Sequence, residues 1–233
     1  MMISPESFYH MELEGKSVNQ IEKSIRKLKK DMTSLKKAIE CSDPDDPRVL
    51  MEPSLEVQLK CTREYLDKAK TALVEAGGKY IPNQAEQRVI DFDNNIEFIS
   101  KIRLDIGGFF TGNQIYTYTI LGDKVDWNLG GFSFVDFKLP EYRPETKQEL
   151  LDAFREFHIG EWKHKYVDPD VLDGTQWELV IEYSNGRKTA KYYGSNAFPF
   201  NFDEFAEFMG DIHYTDDAEI KPEWFVNAEQ LNY

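Results

Sequence analysis

The chain has 233 residues, of which 41% are hydrophobic and 14% aromatic, so it can bury a substantial core in one large domain or two small ones. Its formal net charge of −14 argues against general binding to nucleic-acid phosphates, which requires a basic surface. No apolar run approaches the ~20 residues of a membrane helix, and residues 1–17 lack the pattern of a secretory signal, so a soluble protein without membrane contacts is expected.

The N-terminal region predicts an antiparallel helical hairpin. In residues 17–40, apolar side chains recur at intervals of three and four, as in a helix packed lengthwise on a partner; they are Val18, Ile21, Ile25, Leu28, Met32, Leu35 and Ile39. A matching seam precedes Gly77 and Gly78, which predict the helix end; it consists of Leu55, Leu59, Thr62, Leu66, Ala69, Leu73 and Ala76. The prolines and aspartates of residues 42–47 predict the intervening turn.

Two further signals complete this predicted first domain, residues 1–95. Ser17 with Gln20 predicts a capping box at the start of the first helix, and Asn83 with Glu86 predicts another at the start of a third, connecting helix. Two cysteines are too few for a disulfide framework, and the hairpin places Cys41 and Cys61 beyond the ~7 Å Cα separation that a disulfide tolerates. They are therefore predicted to be free thiols in a reducing, cytoplasmic compartment.

Charge is unevenly distributed along the chain. Residues 16–40 contain eight Lys/Arg and three Asp/Glu, and most of the lysines lie off the apolar seam. They are Lys23, Lys27, Lys29, Lys30, Lys36 and Lys37. Two interpretations remain open: a solvated helix face, or a docking surface for an acidic partner or nucleic acid.

The second domain, residues 96–233, is predicted to be an antiparallel β-sheet with packed helices. From Phe98 the apolar period changes to two, which places Phe98, Ile102, Leu104 and Ile106 on one face. A two-residue turn at Gly122–Asp123 closes a hairpin that pairs Ile120 with Val125, Tyr118 with Trp127, and Tyr116 with Leu129. A type I′ turn at Asn185–Gly186 is predicted to pair Ile181 with Ala190 and Leu179 with Tyr192.

Two to three helices are predicted within this domain, and two of them have clear signals, so the fold class is α+β. Thr146 and Glu149 form a capping box for the first, and Gly160 is its expected end. Asn201 with Glu204 is predicted to cap the second, which Gly210 ends.

Residues 158–205 carry a pattern of I-G-E-W, then D-G-T-x-W-x-L-x-I-x-Y, an N-G turn, and G-S-N-A-[FY]-P. This segment resembles one that recurs in a family of uncharacterised bacterial proteins, some with a similar helical front end. The resemblance implies a bacterial origin and a genuine domain. It carries over no catalytic residue and no activity.

No catalytic, cofactor or metal motif is recognisable, so none of these sites is predicted. Glu161 and His164 have the spacing of one di-iron helix motif, but such sites need a second copy on a facing helix. Asp211 and His213, with two aspartates shortly after, are expected to belong to an acidic tail. Gly-Ser-Asn at 194–196 lacks the nucleophile-elbow pattern and predicts a turn.

Two surfaces are candidate contact sites. Aromatic and polar residues around the G-S-N turn and the Gly-rich loop could line a pocket or an apolar patch; they are Phe109, Phe110, Trp162, Trp177, Tyr193, Ser195 and Asn196. Acidic residues interleaved with aromatics near the C-terminus could form an acidic contact face; they are Asp203, Glu204, Glu207 and Asp211.

The sequence favours a binding protein over an enzyme. The leading hypothesis is a cytoplasmic interaction module whose partner is another protein, contacted by the hairpin or by the acidic face. One alternative is an inhibitor or immunity protein from a mobile element, whose acidic surface blocks a nucleic-acid-binding protein. The other is a small-ligand-binding protein or enzyme with a pocket near Trp162, Trp177 and Ser195. The hairpin could also pair with a second copy to give a four-helix homodimer.

Overall fold

The computed structural model describes residues 2–41, 52–108, 112–133, 143–171 and 174–211. The chain forms two compact units, residues 1–83 and 84–233. Within the described residues there are six α-helices and a six-stranded sheet, so the predicted α+β class is confirmed. None of these helices combines the length and apolar character needed to cross a membrane.

The first unit is helical. Helix α1 spans Pro5–Phe8 and continues as a π-helical turn, and helices α2 and α3 span Val18–Cys41 and Leu55–Glu75. Helices α2 and α3 pack together, which confirms the predicted helix pair. Their core consists of the buried side chains of Leu13, Ile21, Ile25, Leu28, Tyr65, Leu66, Ala69, Ala72 and Leu73. The predicted turn at 42–47 lies outside the described residues.

The N-terminal segment completes this core in a way that the sequence did not predict. The Tyr65 hydroxyl donates to the Ile3 carbonyl oxygen at 2.5 Å and accepts from the Ile3 amide at 3.0 Å. The Phe8 ring stacks on the Tyr65 ring at 4.4 Å. One tyrosine of α3 therefore holds the start of the chain against the helix pair.

The helix ends follow the predictions with two corrections. Gly77 has φ +81°, and the Gly78 amide donates to the Leu73 carbonyl at 2.8 Å, which is the predicted glycine stop. Ala76 is exposed, because it follows the last turn of α3, and so it does not extend the seam. At the start of α2, the Gln20 side chain accepts a hydrogen bond from the Ser17 amide, which is one half of a capping box. The other half is missing, because the Ser17 hydroxyl donates to the Gln20 side chain and does not accept from the Gln20 amide.

The second unit is built on a sheet of strands β1 to β6, which span Ile99–Gly108, Gly112–Leu121, Lys124–Ser133, Lys165–Val167, Gln176–Tyr183 and Ala190–Ser195. Their order is β3-β2-β1-β5-β6-β4. All pairs are antiparallel except β4 with β6.

Both predicted hairpin registers are confirmed. Strands β2 and β3 join through a two-residue turn in which Gly122 has φ +67°, and all three predicted pairs occur. Strands β5 and β6 show both predicted pairs, but their connection is longer than a type I′ turn, and Asn185 does not have the positive φ that this turn requires. The Asn185 side chain donates instead to Asn95 and accepts from the Arg187 amide, which holds the connection toward the neighbouring helix.

Helices α4 (Gln84–Asp93), α5 (Lys147–Glu156) and α6 (Phe202–Met209) belong to this unit. Their aromatic side chains meet in its core, where Phe154 contacts Phe92 of α4 and Phe205 of α6. The sequence predicts this connecting helix in the first domain, whereas α4 lies in the second unit. The capping box of Thr146 and Glu149 is present in full.

Two further boundaries differ from the predictions. Phe98 lies in a short 3₁₀ turn and is 44% exposed, because the strand begins at Ile99 and its register shifts before Lys101. Helix α5 ends at Glu156 and not at Gly160, because His158 adopts a left-handed conformation with φ 48°.

Candidate functional site

The most distinctive surface of the first unit is the outer face of α2. Five cations are exposed there: Lys23, Arg26, Lys27, Lys30 and Lys37. At 3.6 residues per turn they fall within an arc of about 100°, opposite the buried seam. The face extends ~21 Å along the helix at 1.5 Å per residue. We call these five residues the basic face.

The basic face is not neutralised by its own unit. In the described part of the chain, none of its five side chains forms an ion pair. The acidic residues of α2 are half-buried and lie off this face; they are Glu22, Asp31 and Glu40. Lys29 is also half-buried and stacks on the Tyr80 ring at 5.0 Å, so it belongs to the packing of the unit.

The local energetics do not favour this arrangement of charges. Arg26 and Lys27 follow Lys23 by three and four residues. Lys30 in turn follows them by four and three residues. Each such like-charge neighbour costs about 0.2–0.5 kcal/mol of helix stability. Glu22, Asp31 and Glu40 lie three or four residues from Arg26, Lys27 and Lys37, so they offset part of this cost. The charges of the basic face therefore add little to the stability of α2, which favours a role outside the folding of the unit.

The predicted aromatic pocket is occupied by the protein itself. Trp162 and Trp177 are each 3% exposed. The Trp177 indole N–H donates to the Ala197 carbonyl at 3.0 Å, and its ring packs on Phe202 at 4.7 Å. Tyr193 is 45% exposed and lies on the opposite face of the sheet, so the structure does not bring it together with the two tryptophans.

Ser195 and Asn196 stabilise the chain turn that follows β6. The Ser195 hydroxyl accepts from the Gln176 side chain at 2.7 Å. Asn196 has φ 57°, and its side-chain amide donates to the Val171 carbonyl at 3.0 Å. Both side chains therefore have partners in the fold. Phe109 and Phe110 lie outside the described residues.

Asn201 has a larger structural role than its predicted cap. It makes no side-chain capping bond at α6. Its side-chain oxygen accepts from the Trp162 indole N–H at 2.9 Å, and its amide donates to the Phe157 carbonyl at 2.7 Å. These partners are 39 and 44 positions away, so no local sequence signal could have indicated them.

The predicted acidic residues are only partly brought together. Asp203, Glu204 and Glu207 are exposed within one turn of α6. Asp211 is half-buried and accepts a hydrogen bond from the Tyr116 hydroxyl at 3.2 Å, so it supports the sheet. The acidic contact face stays a prediction.

The histidine, cysteine and acidic side chains of the described residues do not cluster into a site. Within the described residues, no group of three His, Cys, Asp or Glu could hold a metal ion. His164 donates through Nδ1 to the Lys191 carbonyl at 3.0 Å. The predicted free thiols are confirmed, with Cys41 exposed and Cys61 half-buried. His213 and the aspartates after it lie outside the described residues.

Comparison with models of protein families, with curated proteins and with solved structures finds no match to this chain. The function is therefore inferred from its surfaces.

Proposed function

We propose that this protein is an interaction module whose basic face binds an acidic surface of another protein. The observation that supports this proposal is the alignment of five exposed, unpaired cations on one side of α2. Lys23, Arg26, Lys27 and Lys30 follow one another at no more than ~4.5 Å along the helix axis, and Lys37 lies ~10.5 Å beyond Lys30 at 1.5 Å per residue. The spacing of the first four is below the ~8 Å Debye length at physiological ionic strength, so these four attract an acidic surface jointly.

The overall charge of the chain favours a protein partner over nucleic acid. Residues 1–83 contain 14 Lys/Arg and 14 Asp/Glu, so the basic face arises from the segregation of charges and not from an excess. Residues 84–233 contain 14 Lys/Arg and 28 Asp/Glu. A long nucleic acid would be repelled by this second unit, whereas a compact acidic surface can contact the basic face alone.

The basic face is expected to contribute mainly to the rate and specificity of association. Complementary charges guide a partner into register and raise the association rate, and this effect decreases as salt is added. Because the cations are exposed, each contributes only modestly to affinity on its own. Binding should therefore depend on several of them together.

A pair of matched variants tests the proposal. Lys27→Glu with Lys30→Glu reverses the centre of the basic face. Lys60→Glu with Lys79→Glu makes the same change in net charge at exposed lysines of the first unit outside α2. Each protein is used to capture partners from a nuclease-treated bacterial lysate, the source implied by the segment resemblance, and the affinity of the captured protein is then measured with purified components.

The expected result is one acidic protein that binds the wild type and the Lys60/Lys79 variant with equal affinity. Its association with the Lys27/Lys30 variant should be at least tenfold slower, and 0.5 M salt should remove the difference. Equal capture by all three proteins would contradict the proposal. So would sedimentation showing that the salt-sensitive partner is a second copy of this chain.

A further inference from the structure

A separate polar cleft lies in the second unit, where the C-terminal end of α4 faces the connection between β5 and β6. Its outer part is an open depression of about 420 Å³, and its inner recess has a volume of about 90 Å³. Four residues line both parts, namely Asp91, His164, Arg187 and Ala190. The buried Trp162 of the sequence-predicted pocket lines only the inner recess.

The cleft is basic although its unit is acidic. Arg88, Arg187 and Lys188 line it together with a single acidic residue, Asp91, which gives a net charge of +2. In the described residues, Arg88 and Lys188 are exposed and form no ion pair. Arg88 lines the inner recess, Lys188 lines the outer depression, and Arg187 lines both. Cations distributed along one cleft in this way favour an anion bound within it.

Arg187 is held rigidly while retaining donors for a ligand. Its guanidinium donates to the Asp91 carbonyl oxygen at 2.8 Å and to the Asp91 carboxylate at 2.5 Å. It also lies over the Tyr183 ring, with Cζ 5.1 Å from the ring centroid. A guanidinium has five N–H groups in a fixed plane, so two bonds to Asp91 leave others available. Such preorganisation lowers the entropy cost of binding.

One tyrosine, Tyr192, borders the inner recess, and a second, Tyr183, lies with its ring beneath Arg187. The Tyr183 hydroxyl is buried and, among the described residues, has no hydrogen-bond partner. The Tyr192 ring lines the inner recess and stacks on His164 at 5.1 Å. Burial raises the pKa of both phenols, so each stays protonated and able to donate at neutral pH.

We propose that this cleft binds a small organic phosphate monoester, with its phosphate among Arg88, Arg187 and Lys188. A phosphate monoester carries a charge of about −1.5 to −2 at pH 7, which matches the net charge of the lining. Planar guanidinium groups bind phosphate oxygens through paired, charge-assisted hydrogen bonds. The inner recess has less than a quarter of the volume of the outer depression, so only a small part of the carrier enters it. This site is independent of the basic face, because every residue involved belongs to the second unit.

Isothermal titration of the full-length protein tests this site. The probes are phenyl phosphate, inorganic phosphate and benzoate, all at one ionic strength set with sodium chloride. The variants are Arg88→Gln and Lys188→Gln, each of which removes an exposed and unpaired charge. Lys165→Gln is the matched control, because Lys165 is also exposed and lies over Tyr193 on the other face of the sheet.

We expect phenyl phosphate to bind the wild type and the Lys165→Gln control equally. Each cleft variant should weaken binding about tenfold, because it removes one charge-assisted contact. Binding of inorganic phosphate with the same dependence on the two variants would also support the site. Absence of phosphate binding, equal binding of benzoate, or unchanged affinity in both variants would overturn the proposal.

Discussion

Because Trp177 packs directly against Gly194, we expect the variant Gly194→Ala to destabilise the second unit. These residues are cross-strand partners in β5 and β6. A Cβ atom at position 194 would lie 2.1 Å from Nε1 of Trp177 and 2.6 Å from the Ala197 carbonyl oxygen that accepts from this nitrogen. The indole would have to move, and it is held by the aromatic core around it.

The expected loss of stability has two parts. Overpacking a core typically costs about 1–3 kcal/mol, and loss of the indole hydrogen bond adds about 1 kcal/mol. The free energy of unfolding should therefore fall by about 2–4 kcal/mol, which corresponds to a decrease in Tm of about 4–16 °C for a unit of this size. All four tryptophans lie in residues 84–233, so urea unfolding followed by tryptophan fluorescence reports this unit selectively.

Gly130→Ala is the matched control. Gly130 also faces a cross-strand partner, Ile115, but a Cβ atom there would meet its nearest neighbour at 3.9 Å, an ordinary contact. This variant should leave stability unchanged or raise it by up to about 1 kcal/mol, because alanine restricts the unfolded chain. If Gly194→Ala unfolded at the same urea concentration as Gly130→Ala, the packing described for Trp177 would be wrong.

Three further predictions concern individual contacts. Tyr65→Phe keeps the ring stack but removes both hydrogen bonds to Ile3. The free energy of unfolding of the first unit should therefore fall by about 1–2 kcal/mol, as measured by circular dichroism at 222 nm. Hydrogen bonds from two backbone amides lower the pKa of Glu149, so its stabilising effect is present above the usual value of 4.5 and is lost as the pH falls through the lower folded value. The stability difference between wild type and Glu149→Gln should accordingly shrink in acid, and a constant difference would contradict this linkage. Lys27→Glu replaces repulsion from Lys23 and Lys30 by attraction, and these two changes outweigh the new repulsion from Asp31 four residues later. The free energy of unfolding should therefore rise by about 0.5 kcal/mol while partner binding weakens. A destabilised variant would contradict the charge repulsion described for the basic face.

Elements set by local patterns were predictable from the sequence. The alternating three-and-four spacing of α2 and α3 identifies helices that bury one seam, and Gly77 with Gly78 fixes the end of α3 within a residue. Both hairpin registers followed from strand alternation, because a shift by one residue would turn every apolar side chain to the other face.

Features that depend on distant partners were not predictable. Asn185 looked like a type I′ turn residue, but its side chain bonds to Asn95, 90 positions away. The polar cleft depends on Arg187 and Asp91, which are 96 positions apart and become neighbours only when α4 packs beside the β5–β6 connection. A single sequence contains no periodicity that links such residues, so neither the cleft nor its charge could be derived from it.

The distribution of charge explains why the two proposed sites call for different experiments. On the basic face, the cations lie on a convex helix surface that forms no pocket. A ligand that contacts several of them must itself present a rigid array of negative charges, as an acidic protein does. In the cleft, Arg187 is fixed by Asp91 and Tyr183 and lines both parts, while Arg88 lines the inner recess and Lys188 the outer depression. The proposed phosphate therefore meets a guanidinium held in a fixed position. Partner binding to the basic face should therefore weaken on charge reversal and on addition of salt, at a constant phosphate concentration. The cleft should instead bind phosphate with higher affinity than carboxylate at constant ionic strength, because the geometry of its donors selects the ligand as well as their charge.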